Sequence, residues 1–296
     1  VVSKELTKLD LSGSAITKID VTGCTGLKTI EFSREQLQTL ECSSCTSLSA
    51  ETLRKLLDGT DAPNLATCAA QGVSLPVSLN VNKSLKNLDL YSAKGLTSLT
   101  VQAQSVLEEL YLSNVKSLTE LNVSQAKDLK KLLFRWTDVK RINLAGLKKL
   151  EYVVLPGSYP ARLLQELICQ LHDRKNLSKG ILKYPFSTSE LALVNGTEAK
   201  NRNWKILNSD NDSDLTEQCT STVACNEIAL PTNPDKVSLE LAGNTTVKFK
   251  VEKPTTLWQS KTSDISQFYS NQYYPTGEHE FTVTENVYLF TQPNAL

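Results

Sequence analysis

Apolar residues return along the first half of the chain in a fixed template, L-x-x-L-x-L, if any apolar residue is accepted at the marked positions. It fits Leu6-Leu9-Leu11, Ile16-Ile19-Val21, Leu27-Ile30-Phe32 and Leu37-Leu40-Cys42. It returns at Leu85-Leu88-Leu90, Leu96-Leu99-Val101, Leu107-Leu110-Leu112 and Leu118-Leu121-Val123. It continues through Leu129-Leu132-Phe134, Val139-Ile142-Leu144 and Leu150-Val153-Leu155. Starts lie 10 or 11 residues apart, and eleven matches in phase are beyond chance. The closing residues of each unit alternate apolar and polar, the period of a strand. No such unit can bury its apolar side alone, so neighbours must stack. The pattern predicts a flattened parallel solenoid over residues 1–158, with two sheets on opposite sides, here sheet A and sheet B.

Two units make a coil of 21 or 22 residues, the length of a leucine-rich repeat. The stretches Leu37-Gln-Thr-Leu40-Glu-Cys42, Ile19-Asp-Val21-Thr-Gly and Leu121-Asn-Val123-Ser carry a resemblance to bacterial cell-surface leucine-rich-repeat proteins. They are similar to internalin-like repeats with a Cys in the strand and to surface proteins of gut anaerobes. The resemblance covers residues 1–158, with echoes to 208. It implies an α/β repeat solenoid and a binding role, but no particular ligand.

The repeat degrades between Leu48 and Leu85. Ala50 to Leu57 reads as a short helix capped by Ser49, with Glu51 in its first turn and Gly59 after its end. Leu75, Leu79 and Val81 form a degenerate half-coil, so a single solenoid with an insert near 58–74 is expected. After Pro156-Gly157 the spacing turns helical from Ala161 to His172. A strand at Gly180–Lys183, a helix near Ser189–Ala199 and a strand from Trp204 to Leu207 follow. Residues 159–208 would cap the exposed solenoid end, and Ala199-Lys-Asn-Arg-Asn-Trp204 resembles the helix-then-tryptophan segment of the gut-anaerobe proteins. Residues 209–218 are polar and acidic and read as a linker. Residues 219–296 read as a small all-β, sandwich-like domain: Val237-Leu239-Leu241, Val247-Phe249-Val251, Phe281-Val283 and Val287-Leu289 alternate, and Gly243-Asn244 suggests a hairpin turn between the first two. So small a domain is marginal alone and would lean on the solenoid or on a Cys219–Cys225 disulfide.

Charge narrows the partners. Lys+Arg and Asp+Glu both number 32, so no broad cationic footprint exists for nucleic acid or an anionic membrane. No apolar run reaches the ~18 residues of a transmembrane helix. The chain holds no Met, which reads as a processed chain whose removed N-terminus could have carried a signal peptide or a lipid anchor. With the resemblance, this leads to an expectation of an extracellular or cell-surface protein.

Little points to chemistry. Cys42-Ser-Ser-Cys45 has redox or half-zinc spacing, but Cys42 falls on an inward position and Cys45 lies 21 residues, one coil, after Cys24. Cys24, Cys42 and Cys45 therefore read as structural thiols packed as small hydrophobes; a Cys24–Cys45 disulfide also fits the stacking. Asp210-x-Asp212-x-Asp214 with Glu217 lacks the glycine of a calcium loop, Leu215 standing there. His172 and His279 belong to no triad or metal motif, and no phosphate-binding loop or nucleophile elbow is present. No enzymatic activity, metal or cofactor is expected.

The two sheets differ on their outer faces. Sheet B presents Ser98, Thr100, Gln102, Glu120, Asn122, Ser124, Arg141 and Asn143; sheet A presents Tyr91, Tyr111, Leu133, Arg135, Tyr152 and Val154, with Trp136 beside them. Stacked coils bring the latter within about 5 Å of one another, and Tyr, Trp and Arg anchor interfaces. Tyr91, Tyr111, Leu133, Arg135, Trp136 and Tyr152 are thus the candidate partner-binding residues, unless the 58–74 insert or the C-terminal domain covers them. The expected function is adhesion or recognition of a protein ligand through this face. The alternative is a carbohydrate-binding accessory protein using aromatic clusters, including Trp258, Phe268-Tyr269 and Tyr273-Tyr274.

Overall fold

The computed structural model describes residues 5–160, 163–222, 225, 237–241, 245–251, 255–260, 268–274, 277–283 and 287–291. The chain divides into two compact units, Val1–Thr220 and Ser221–Leu296.

The first unit is built from short strands: β1 (Lys8–Leu11), β2 (Lys18–Asp20), β3 (Thr29–Phe32) and β4 (Thr39–Glu41), then helix α1 (Ala50–Leu57). Strands β5 (Thr67–Ala69), β6 (Ser78–Val81), β7 (Asn87–Asp89), β8 (Ser98–Val101), β9 (Glu109–Tyr111), β10 (Glu120–Asn122), β11 (Lys131–Leu133) and β12 (Tyr152–Val154) follow. The unit closes with α2 (Leu164–Gln170), β13 (Gly180–Tyr184), α3 (Thr188–Leu191), α4 (Gly196–Asn201) and β14 (Trp204–Asn208). Sheet A is a continuous parallel ladder of nine strands in the order β2-β4-β5-β7-β9-β11-β12-β13-β14. Parallel sheets of consecutive repeated strands fit a leucine-rich-repeat solenoid.

Register explains the repeat. Ile19, Leu40, Cys68, Leu88, Leu110, Leu132, Val153, Leu182 and Ile206 are cross-strand partners in one inward row, and all are buried. Each fully buried aliphatic side chain contributes about 1.5–3 kcal/mol relative to exposure. In each coil the chain must then turn sharply. At the sheet A corner, Gly23, Ser44, Gly72, Ser92 and Asn114 all adopt φ between 58° and 79°. Their amides donate across coils to Ser43, Gln71, Tyr91, Ser113 and Arg135 carbonyls at 2.8–3.0 Å. The ladder thus continues through a left-handed residue, a conformation that glycine, and to a lesser degree asparagine, adopts at low cost.

Sheet B is interrupted. It consists of β1-β3 and, separately, β6-β8-β10. Helix α1 occupies the coil position between them and buries Leu53, Leu56 and Leu57 where a strand would place its apolar residues. Ser49 caps it as the sequence suggests, its side chain accepting from Thr52 N at 3.0 Å. The insert near 58–74 is not a bulge, because β5 within it is a register member of sheet A, Thr39 pairing with Thr67 and Thr67 with Asn87. Leu65-Ala-Thr-Cys68-Ala-Ala70 is a copy of the template in which small residues stand at the inward positions. The expected strand at Ile142–Leu144 does not form: both residues are buried, but the Leu144 amide donates to Gln170 Oε1 on α2 at 2.9 Å, so a helix replaces the next strand. For the same reason Arg141, read as an outward sheet B residue, pairs with Glu166 of α2 at 2.5 Å.

The cap extends sheet A by β13 and β14 in parallel register. The helix expected near 189–199 divides into α3 and α4. Gly180 lies against the indole of Trp204, where a Cβ would come within 2.5 Å of the ring. Buried Arg174 holds this end by donating to the carbonyls of Leu150 and Ser178 at 2.8 and 2.9 Å. Residues 209–218, expected as a linker, fold within the first unit: Leu207 and Asp214 bridge, and Leu215 N donates to Ile206 O at 2.9 Å.

In the second unit the described residues lie mainly in strands. Its strands are β15 (Val237–Leu241), β16 (Thr245–Val251), β17 (Thr255–Ser260), β18 (Phe268–Tyr274), β19 (Gly277–Val283) and β20 (Val287–Thr291). They form antiparallel sheets β15-β20-β17-β18 and β16-β19. The expected hairpin between the first two runs is therefore not made: β15 pairs with β20 and β16 with β19. Gly243 and Asn244 themselves lie outside the described residues. The Cys219–Cys225 disulfide is also not formed. Cys219 is a buried free thiol within the apolar cluster of the first unit, and its carbonyl accepts from Gly196 N at 3.3 Å.

Because coils share one inward row, Leu110→Asp places a charge between Leu88 and Leu132. We expect a loss of about 3–5 kcal/mol and the loss of neighbouring coils together. Chemical denaturation followed by circular dichroism checks this; an unchanged midpoint would refute the shared-core account.

Candidate interaction face

Outward from sheet A run two registered rows. One passes Lys18, Thr39, Thr67, Asn87, Glu109, Lys131, Tyr152, Ile181 and Lys205; the other passes Asp20, Glu41, Ala69, Asp89, Tyr111, Leu133, Val154, Lys183 and Leu207. The face is polar at its N-terminal end, where Lys18 pairs with Glu41 at 2.8 Å. It becomes aromatic and apolar from Tyr111 onward. Within the first unit Tyr111, Leu133 and Tyr152 are half-buried and Tyr91 is exposed. The β5 segment cannot cover them, because it is part of the sheet. Val154, read as outward, is only 7% exposed; Arg135 and Lys183, on its two sides, are both bonded to the segment 209–212.

Polar contacts fix these side chains. Tyr111 donates its hydroxyl to Glu109 Oε2 at 2.7 Å, and Lys131 pairs with Glu109 at 2.9 Å. Burial, and then the hydrogen bond to Glu109, pushes the Tyr111 phenol up to about 12. The Glu109 carboxyl is held below its ordinary 4.5, first by Lys131 and then by Tyr111. The Lys183 ammonium lies 5.5 Å from the centre of the Tyr152 ring.

Trp136 breaks the corner rule. It has φ 57°, in series with Gly23, Ser44, Gly72, Ser92 and Asn114, yet it carries the bulkiest side chain of the set and is 51% exposed. A left-handed conformation costs a non-glycine residue about 1–2 kcal/mol. The guanidinium of Arg135 lies 4.3 Å from the ring centre, a contact worth about 0.5–1 kcal/mol at an exposed site. Neither core burial nor turn chemistry accounts for tryptophan here, and strained residues of this kind collect at binding sites. The sequence showed Trp136 beside the stripe; its corner position could have been read from its spacing to Ser92 and Asn114.

The other candidate chemistry resolves into structure. Cys24, Cys42, Cys45 and Cys68 are buried free thiols, so no Cys24–Cys45 disulfide is present. Cys45 donates to Val21 O at 3.0 Å, and burial pushes its thiol up to about 12. The Cys42 thiol is likewise raised, first by its hydrogen bond to Cys68 and then by burial. Such thiols are poor nucleophiles and poor metal ligands. The acidic run does not converge on a cation: Asp210 pairs with Arg135, Asp212 with Lys183, Asp214 with Lys205 and Glu217 with Lys200. Among the described residues, no cluster of three His, Cys, Asp or Glu could hold a metal ion, and no helix is long and apolar enough to cross a membrane. The side chains of Trp258, Phe268, Tyr269, Tyr273 and Tyr274 lie outside the described residues.

Fold and face together fit a leucine-rich-repeat-type solenoid with one partly apolar outer sheet. No family model matches the chain, and no curated protein does. Among solved structures the chain is similar to the functional domain of InlJ from Listeria monocytogenes, which includes a cysteine ladder. The identity is 14% and the TM-score 0.19, over 99% of this chain and 79% of that one.

Two outcomes are expected. Trp136→Asn, placing the residue found at the preceding corner, should leave the unfolding midpoint unchanged or raised, since relief of strain offsets the lost ring contact; a loss above about 1 kcal/mol would make Trp136 a packing residue. The second concerns acid. Glu109 binds its proton less readily folded than unfolded, so its contribution is complete above the ordinary value of 4.5 and is lost as pH falls through the lower folded value. The stability gap between the native chain and Glu109→Gln should be constant above that pH and close below it, as read from thermal midpoints.

Proposed function

We propose that the chain is a non-enzymatic binding protein that recognises a protein partner through the outer face of sheet A. The observation that supports this most is Trp136, an exposed aromatic held at strained cost at the margin of the half-buried Tyr111, Leu133 and Tyr152. Rigid registered strands fix these side chains before contact, which lowers the ordering cost of binding. In this reading the protein works outside the cell or on its surface in adhesion or recognition, as the repeat resemblance implies. The two sheets of the second unit pack as a small sandwich that serves as spacer or second contact.

The test compares the intact chain with a Tyr111→Lys, Leu133→Lys variant in capture from mucosal or matrix extracts, with circular dichroism establishing that both are folded. A partner retained by the native chain and lost by the variant is the expected result. Equal retention would move the site to sheet B or the second unit. Saturable binding of a glycan that Tyr91→Ala and Tyr111→Ala abolish would favour a carbohydrate ligand instead.

A further inference from the structure

Resting on that reading of sheet A, the unexplained feature is the acidic segment after β14. It leaves the last strand, turns through Asp212 at φ 59° and returns to bridge Leu207 through Asp214. The Arg135 guanidinium donates to the Ser209 carbonyl at 3.0 Å and also to the Asp210 carboxylate. Lys183 donates to Asp212 at 2.5 Å. Lys183 stands on β13 and Arg135 in the turn after β11, and each has an aromatic neighbour, Trp136 for Arg135 and Tyr152 for Lys183. Their side chains are 23% and 16% exposed, whereas Asp210 and Asp212 are 59% and 68% exposed. The segment thus lies on the solvent side of the cations and is held by pairs that are weak one at a time.

We propose that residues 209–212 form an acidic strap that occupies the partner's place on the C-terminal part of sheet A, and that the partner is a protein presenting an acidic turn with carboxylates two residues apart. The chain's own strap is the template for that ligand. Carboxylates at Asp210 and Asp212 meet cations at Arg135 and Lys183, both presented by a turn that the Asn208 side chain and carbonyl hold through the amides of 210 and 212. Both cations are already desolvated on their aromatic side, so an incoming carboxylate replaces the strap's without creating a newly buried charge. Release of the strap uncovers Lys183, Arg135 and the surroundings of Val154 together, extending the Tyr111–Leu133–Tyr152 stripe.

The experiment uses the full chain and a fluorescent peptide of the strap's own sequence, Ser-Asp-Asn-Asp-Ser-Asp, with Ser-Asn-Asn-Asn-Ser-Asn as control. The strap is loosened by Asp210→Asn with Asp212→Asn; asparagine accepts the left-handed conformation at 212, and the turn bonds from the amides of 210 and 212 to Asn208 persist. The expected result is acidic-peptide binding about five- to tenfold tighter to this variant than to the native chain. It should weaken severalfold from about 50 to about 300 mM salt, and be lost on Arg135→Gln with Lys183→Gln. Equal affinity for native and loosened chains would overturn the strap. No binding to either, or equal binding of the neutral control, would overturn the acidic partner. Tighter binding of a single-stranded oligonucleotide of equal charge would overturn its being a protein. None of these results touches the sheet A reading, which the Tyr111→Lys, Leu133→Lys comparison decides by itself.

Discussion

Everything in the first unit follows from the inability of one coil to bury its own apolar side. A three- or four-residue strand has one or two inward side chains and makes no core. Only stacking removes them from water, and stacking needs each coil to repeat its neighbour's register closely. The inward row from Ile19 to Ile206 shows how strict this is along sheet A. On the other side the requirement is looser. Any element that supplies apolar side chains at the right height suffices, so α1 stands in for a strand, and α2 meets the coil at Leu144.

A second constraint comes from the corner. To keep donating to the next coil, the backbone must pass through a left-handed residue, and the chain meets this with Gly, Ser and Asn in five coils. Where Trp136 takes the same position, the local rule is broken at the surface, not in the core. That separates the features serving the fold from those serving the face. The inward leucines, the corner glycines and the buried thiols all have packing explanations. Trp136, Tyr111 and Leu133 do not.

Sheet A was legible in the sequence because its signal is periodic and because apolar residues occupy alternate positions. The α1 helix was legible from Ser49, Glu51 and Gly59. Strand β5 was hidden because Cys68 and Ala70 are small, so only Leu65 of the three template positions kept a leucine while the spacing held. The missing strand at Ile142–Leu144 was unreadable for the opposite reason: its pattern is intact, but its partner across the coil is Gln170 of a helix, which local spacing does not reveal. The hairpin at Gly243-Asn244 failed because turn chemistry says where a chain bends, not which strands it then joins. Of the face, the six named residues were legible as a stripe. The pairing of Arg135 and Lys183 with Asp210 and Asp212 was not, since it joins residues far apart in sequence whose charges looked like solvated surface.

The four thiols of the early coils carry one more implication. Cys24, Cys42, Cys45 and Cys68 sit in adjacent layers, shielded from solvent, and the Cys42 and Cys45 thiols are held from ionising while those layers stay closed. When the layers separate, all four meet solvent together. Under oxidising conditions a transient parting of these coils would be recorded covalently, as mismatched bridges that prevent the layers from closing again. The N-terminal end of the solenoid therefore tolerates brief opening only where reductant is at hand, and its lifetime elsewhere is set by how seldom it breathes.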